Sequence, residues 1–170
     1  ESRGNNSARI YSIVPGISVR PFSILKIGVN ATYEDNHDEL QYVATRNTWM
    51  NGKRYILATI DQKTFGLVLR ADLNLTPEFS IQYYGSPFIS KGSYSELKRV
   101  TDPEAKNYGD RFSIFDNPVL NNSTYYLTDY DDVLPSIVSV GNPDFNFHQY
   151  RSNLVAKWEY RLGSFIYFVW

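Results

Sequence analysis

The stretch Thr64-Phe65-Gly66-Leu67-Val68-Leu69-Arg70-Ala71-Asp72-Leu73-Asn74-Leu75 alternates residue by residue. Phe65, Leu67, Leu69, Ala71, Leu73 and Leu75 form one set. Thr64, Gly66, Arg70, Asp72 and Asn74 form the other, with Val68 its only apolar member. Successive side chains of a strand point to opposite faces, so period two separates an apolar face from a polar one. A slip of one residue would exchange the faces completely, which makes the register well specified. Thr76-Pro77-Glu78 then predicts a tight turn, with proline supplying the fixed φ. Phe79 to Ser90 alternates again, placing Phe79, Ile81 and Tyr83 opposite Ser80, Gln82 and Ser86.

The same unit recurs on both sides. Tyr11, Ile13, Ile17 and Val19 lie on one face of a strand ending at Arg20-Pro21-Phe22-Ser23. Leu25, Ile27, Val29, Ala31 and Tyr33 then alternate with Lys26, Gly28, Asn30, Thr32 and Glu34. Near the other end, Tyr150, Leu154, Ala156, Trp158 and Tyr160 oppose Arg151, Asn153, Lys157, Glu159 and Arg161, and Gly163-Ser164 turns the chain into a last strand. These patterns predict an antiparallel meander of about six strands over residues 8–20, 23–45, 54–75, 79–90, 145–161 and 164–170. The turns at Pro21, Pro77 and Gly163 are short, whereas the connections at 46–53 and 91–142 are long. The best helix candidate, Ser95 to Ala105, contains Pro103 and lacks a sustained 3.6-residue apolar face. The expected fold class is all-β.

Composition narrows the function classes. The 170 residues carry 17 Lys plus Arg against 18 Asp plus Glu, and a net charge of −1 argues against nucleic acid as the partner. The absence of cysteine removes disulfides, thiolate metal sites and thiol nucleophiles. Only two histidines occur, His37 and His148, with no spacing that suggests a metal centre. No Gly-x-Ser-x-Gly elbow or phosphate-cradling glycine loop is present. The reading is non-enzymatic, without a cofactor.

Aromatic residues make up 16% of the chain, a fraction that suits strands and the interfacial girdles of a membrane β-barrel. Short turns at one end and long loops at the other are also the layout of an outer-membrane barrel. A soluble β-sandwich alternates as well, but its polar face tends to be rich in lysine and glutamate. Here that face carries Gly28, Asn30, Gly66, Asn74, Ser80, Gln82, Ser152 and Asn153 with few charges of both signs. The pattern favours a segment of a transmembrane barrel and leaves the sandwich open.

Two stretches carry a family resemblance. One runs from Arg54-Tyr55-Ile56-Leu57-Ala58-Thr59-Ile60-Asp61-Gln62 through Leu73-Asn74-Leu75-Thr76-Pro77-Glu78-Phe79 to Tyr83-Tyr84-Gly85-Ser86-Pro87-Phe88. The other is Asn142-Pro143-Asp144-Phe145-Asn146-Phe147 with Lys157-Trp158-Glu159-Tyr160-Arg161, Gly163-Ser164 and Tyr167-Phe168-Val169-Trp170. The chain thereby resembles an uncharacterised outer-membrane β-barrel family of Gram-negative bacteria. Its members usually carry an amino-terminal module similar to family-9 carbohydrate-binding modules. Leu162 stands where that pattern has proline. The resemblance implies location in the bacterial outer membrane and contact with its lipid. It also implies that the chain is a fragment of a larger barrel whose remaining strands close it. A role as membrane anchor or porin-like channel beside the carbohydrate-binding-like module follows. The alternative is a secreted β-sandwich that binds glycans through loop tyrosines.

Candidate site residues follow from the faces. Lys26, Arg70, Asp72, Asn74, Lys157 and Glu159 are expected to face a lumen, where ion pairs among them would satisfy their charges. Tyr125, Tyr126 and Tyr130, in the long loop, are the candidate ligand-contacting tyrosines for a carbohydrate ring. Asp129, Asp131 and Asp132 supply oxygens but lack the glycine and distal glutamate of a calcium loop, so they read as a solvated acidic loop.

Overall fold

The computed structural model describes residues 7–48, 52–130 and 135–170. Its strands are β1 (Ala8–Ile13), β2 (Gly16–Phe22), β3 (Leu25–Thr48), β4 (Gly52–Thr76), β5 (Phe79–Val100), β6 (Phe112–Ile114), β7 (Val119–Asn121), β8 (Thr124–Asp129), β9 (Ser136–Gly141), β10 (Phe145–Arg161) and β11 (Ser164–Val169). A 3-10 turn at Tyr108–Arg111 precedes β6. The protein is all-β, with antiparallel pairing throughout its registers. One sheet follows chain order as β1-β3-β4-β5-β10-β11, with β2 also on β3 and β6 also on β5; β7-β8-β9 form a second, small sheet. The large sheet ends at β1 and β11 without closing into a barrel among the described residues.

Prolines and turn residues set the strand ends. The first strand, expected over 8–20, is interrupted at Val14 and Pro15 because proline has no N–H for the ladder. The Pro15 carbonyl still accepts from Ala31 N at 2.9 Å. Pro21 likewise stays inside β2, where the register with β3 shifts between Val19 and Phe22, and the turn falls at Ser23–Ile24. At the next turn Thr76 Oγ1 accepts from the backbone N–H of Glu78 (3.2 Å) and Phe79 (3.0 Å), so a threonine side chain closes the reversal beside Pro77. The β10–β11 turn forms without the proline of the family pattern. Gly163 adopts φ +74°, its N–H donates to Glu159 at 2.7 Å, and Leu162 is fully exposed.

The chain divides into two compact units. The first, here the cored unit, gathers Asn36–Gln62 and Gly92–Phe145 with the start of β1. Its core is Ala44, Ile56, Ala58, Leu97, Phe115, Leu127, Val138 and Val140, with Val43, Tyr94 and Tyr125 packed against it. The small sheet supplies Leu127, Val138 and Val140. Its β7–β8 hairpin turns on Asn122 and Ser123, both at positive φ (46° and 60°), as a two-residue primed turn requires. The connection expected as a long loop over 91–142 is therefore largely folded. β5 continues to Val100 past Glu96, whose φ of 49° bends the strand, and Leu97, Lys98 and Arg99 are all buried beyond it.

The second, the open unit, comprises Tyr11–Asp35, Lys63–Lys91 and Asn146–Trp170. Among its described residues only Gly85 and Ser90 are buried. Leu67, Leu69 and Leu73 are half-exposed and belong to no core among the described residues, which supply no second layer over this part of the sheet.

Candidate functional site, a polar groove on the open unit

Period two along β4 puts Arg70 and Asp72 on one face, and the neighbouring strands add to it. β3 contributes Lys26, Gly28 and Asn30, β5 contributes Gln82 and Tyr84, and β10 contributes Asn153. Two grooves result. One, of about 450 Å³, runs beside Lys26, Gly28 and Asn30 to Arg70 and Asp72. The other, of about 240 Å³, runs from Arg70 and Asp72 to Gln82, Tyr84 and Asn153. The Arg70 guanidinium lies over the Tyr84 ring, 5.8 Å from its centroid, a cation–π contact that orients the planar group. Among the described residues no ion pair joins Lys26, Arg70 and Asp72 to one another. The expected mutual pairing is absent, and Arg70 turns to the aromatic ring of Tyr84 instead.

The structure thus gathers Lys26, Arg70 and Asp72 and leaves the other three lumen candidates outside the grooves. Lys157 sits 4.3 Å from the Phe165 ring centroid across the β10–β11 pair. Glu159 is engaged by the Gly163 N–H. Asn74 is exposed near the turn, where its backbone N–H donates to Ile24 O at 2.8 Å. Sequence reasoning missed Tyr84, Gln82 and Asn30 as groove residues, although their alternation had already placed Gln82 and Asn30 on this face.

The opposite face of the open unit carries Phe65, Leu67, Leu69, Ala71, Leu73 and Leu75. It is fastened laterally by aromatic residues. The hydroxyls of Tyr83 and Tyr150 hydrogen-bond across β5 and β10 above Gly85, where an added Cβ would lie 2.9 Å from the Tyr83 oxygen. Trp158 and Tyr160 meet edge to face at 6.3 Å near the turn.

The loop tyrosines do not converge. Tyr125 shares the inner face of the small sheet with Leu127 and Asp129 and packs against the core, whereas Tyr126 is 42% and Tyr130 64% exposed. Asp129 is no part of a solvated loop. It is fully buried, 2.9 Å from Arg54 Nε and 3.0 Å from an Arg99 terminal nitrogen. Two guanidiniums compensate the desolvated carboxylate and tie β8 to β4 and β5. Asp131 and Asp132 lie outside the described residues. His37 pairs with Asp61 at 2.7 Å, and His148 is exposed. Burial pushes the Tyr94 hydroxyl above its ordinary range, and the neighbouring Asp144 carboxylate adds to this; that carboxylate also accepts from the Tyr94 backbone N–H at 2.7 Å. No protein-family model, curated protein or solved structure matches the chain.

Proposed function

We propose that the chain is a stretch of outer-membrane β-barrel wall, non-enzymatic, serving as membrane anchor or porin-like channel beside a carbohydrate-binding-like module. One observation carries the reading. In the open unit a face free of charge extends over roughly ten residues on each of four strands, the span a transmembrane strand needs. It runs from Leu25 to Tyr33 on β3, Phe65 to Leu75 on β4, Phe79 to Ile89 on β5 and Tyr150 to Tyr160 on β10. Charge or imidazole resumes immediately beyond, at Asp35, Lys63, Lys91 and His148. Ten steps at about 3.3 Å give a run of about 33 Å. A strand tilt near 40° reduces that to about 25 Å, the height of the lipid-facing band of an outer-membrane barrel.

The other face is polar and grooved, which suits a water-filled lumen. β2 and β11 are exposed along their whole lengths or nearly so. Lipid offers no hydrogen bonds to open strand edges, so the reading requires further strands of the same barrel on both sides. The sandwich alternative is disfavoured because nothing among the described residues covers Leu67, Leu69 and Leu73, and because Tyr125 is tucked beneath its own sheet.

Fractionation of expressing cells tests the proposal. Recovery from outer membranes only with detergent, together with heat-modifiable electrophoretic mobility, is expected. Recovery in a soluble periplasmic or secreted fraction would overturn it.

A further inference from the structure

Both grooves share Arg70 and Asp72, and that sharing bears on the kind of solute they suit. Building on the assignment of this face to a lumen, we infer that Arg70 and Asp72, with Lys26 alongside, form a bipolar binding site for a zwitterionic solute, an α-amino acid or short peptide. The two residues stand two positions apart on β4, so their side chains leave one face with Cα atoms about 6–7 Å apart. Opposite charges so placed ordinarily pair, yet among the described residues these two do not. Arg70 lies over Tyr84 instead, which leaves its donor fork for a carboxylate. Asp72 keeps its acceptor oxygens for an ammonium or amide. Asn30, Gln82 and Asn153 add amides that donate or accept as the solute demands.

Charge selects among solute classes. A simple anion drawn to Arg70 and Lys26 meets repulsion from Asp72 and leaves that carboxylate without a counterpart, and a simple cation reaching Asp72 meets repulsion from Arg70 and Lys26. A neutral solute leaves both charges without a counterpart. A solute carrying both signs a few ångströms apart engages each group favourably at once.

Glycylglycine and N-acetylglycinamide provide the test, since they are of similar size and only the first carries both charges. Ligand-observed NMR titration of the detergent-solubilised protein should show glycylglycine binding about tenfold more tightly, the combined effect of two solvent-exposed charge contacts. Arg70→Gln and Asp72→Asn should each cut the preference to about threefold or less, since one of the two contacts is lost, while Arg70→Lys should retain more of it. Both positions lie on the polar face outside any core, and an unchanged far-ultraviolet spectrum verifies folding. Equal binding of the two probes, or a preference undiminished in Arg70→Gln, overturns the site. Swelling of proteoliposomes in N-acetylglycinamide addresses the channel separately. Swelling without binding preference retains the channel and overturns the site; preference without swelling retains the site and overturns the channel.

Discussion

Leu69→Arg is the substitution that most directly distinguishes lipid from water as the solvent of the open unit. Leu69 lies four residues below Phe65, the upper end of the uncharged run on β4. At about 3.3 Å per residue and a tilt near 40°, that is about 10 Å into a band about 25 Å tall, close to its midplane. Arginine at the midplane costs about 2–4 kcal/mol, and near the interface about 0–1 kcal/mol. Leu75, at the turn end of the same face, therefore supplies the internal control. Leu69→Arg should lower the folding equilibrium constant roughly 30- to 700-fold, and Leu75→Arg less than about 5-fold, by the free energies just given. Urea titration of the protein folded into phospholipid vesicles, followed by tryptophan fluorescence, measures both. In water neither substitution on a half-exposed strand face should exceed about 0.5 kcal/mol. Equal costs at the two depths would refute the lipid assignment. Arg70→Leu should be milder than Leu69→Arg, and the reverse order would show that the faces are exchanged.

Asp129→Ala should destabilise the cored unit by about 3–5 kcal/mol, because Arg54 and Arg99 lose the buried carboxylate that compensates them; thermal unfolding measures it, and a loss below 1 kcal/mol would count against the triad as a fastening. Gly92→Ala places a Cβ 2.4 Å from Phe145 Cε1, an overlap expected to cost about 1–3 kcal/mol. Phe145→Leu in the same chain should recover much of that loss by freeing the space. For Tyr94, the folded state holds the phenolic proton more tightly than the unfolded chain does, since burial and Asp144 both raise its pKa from 10.0. The unfolded state then binds fewer protons at high pH, so the stability from this group is complete below pH 10 and is lost as pH rises through the folded value. Thermal midpoints compared across pH 9–12 should fall less steeply in Tyr94→Phe.

The parts of the fold legible in sequence are those where alternation is clean. From Thr64 to Leu75 of β4, Val68 apart, and along the first halves of β3 and β5, apolar and polar positions alternate, and Lys26, Arg70 and Asp72 could be placed on polar faces from that alone. Elsewhere the signal is masked by particular residues. Beyond Ser90 the strand contains Glu96 at positive φ, followed by buried Lys98 and Arg99, whose charges read as loop. Lys98 is stabilised there by Thr59, which donates its own hydroxyl proton to Glu96, contacts no local pattern announces. The small sheet is hidden because β7 has only three residues and its hairpin uses Asn122-Ser123 in place of a glycine turn. Asp129 read as solvated because its partners, Arg54 and Arg99, are remote in sequence and meet it only after the sheets stack. The orientation of Arg70 over Tyr84 likewise depends on which strands become neighbours.

Along β4 the apolar positions change parity. Ile56, Ala58 and Ile60 are even-numbered and buried to 0%, 0% and 3% exposure. Phe65, Leu67, Leu69, Ala71, Leu73 and Leu75 are odd-numbered and remain open, with Phe65 45% and Leu75 47% exposed. A strand in one uniform setting, with protein on one side and water on the other, has no reason to exchange its apolar face midway. The exchange means that the apolar side chains of the two halves are desolvated from opposite faces of β4. In the first half the desolvating medium is protein, contributed by Leu127, Val138 and Val140 of the small sheet. In the second half no residue among those described takes that place. Elsewhere in the open unit, β2 leaves Ile17 at 64%, β11 leaves Phe168 at 61%, and Trp170 just beyond it is 71% exposed. An apolar surface that continuous is poorly tolerated in water, and the absence of charge across a height of about 25 Å is the property hydrocarbon selects. On the proposed membrane reading, the parity change near Gln62 marks where β4 passes from a protein-covered face to one left for lipid. Leu57→Arg, odd-numbered but above that boundary, should consequently cost far less than Leu69→Arg in the same vesicle titration, and equal costs would remove the boundary.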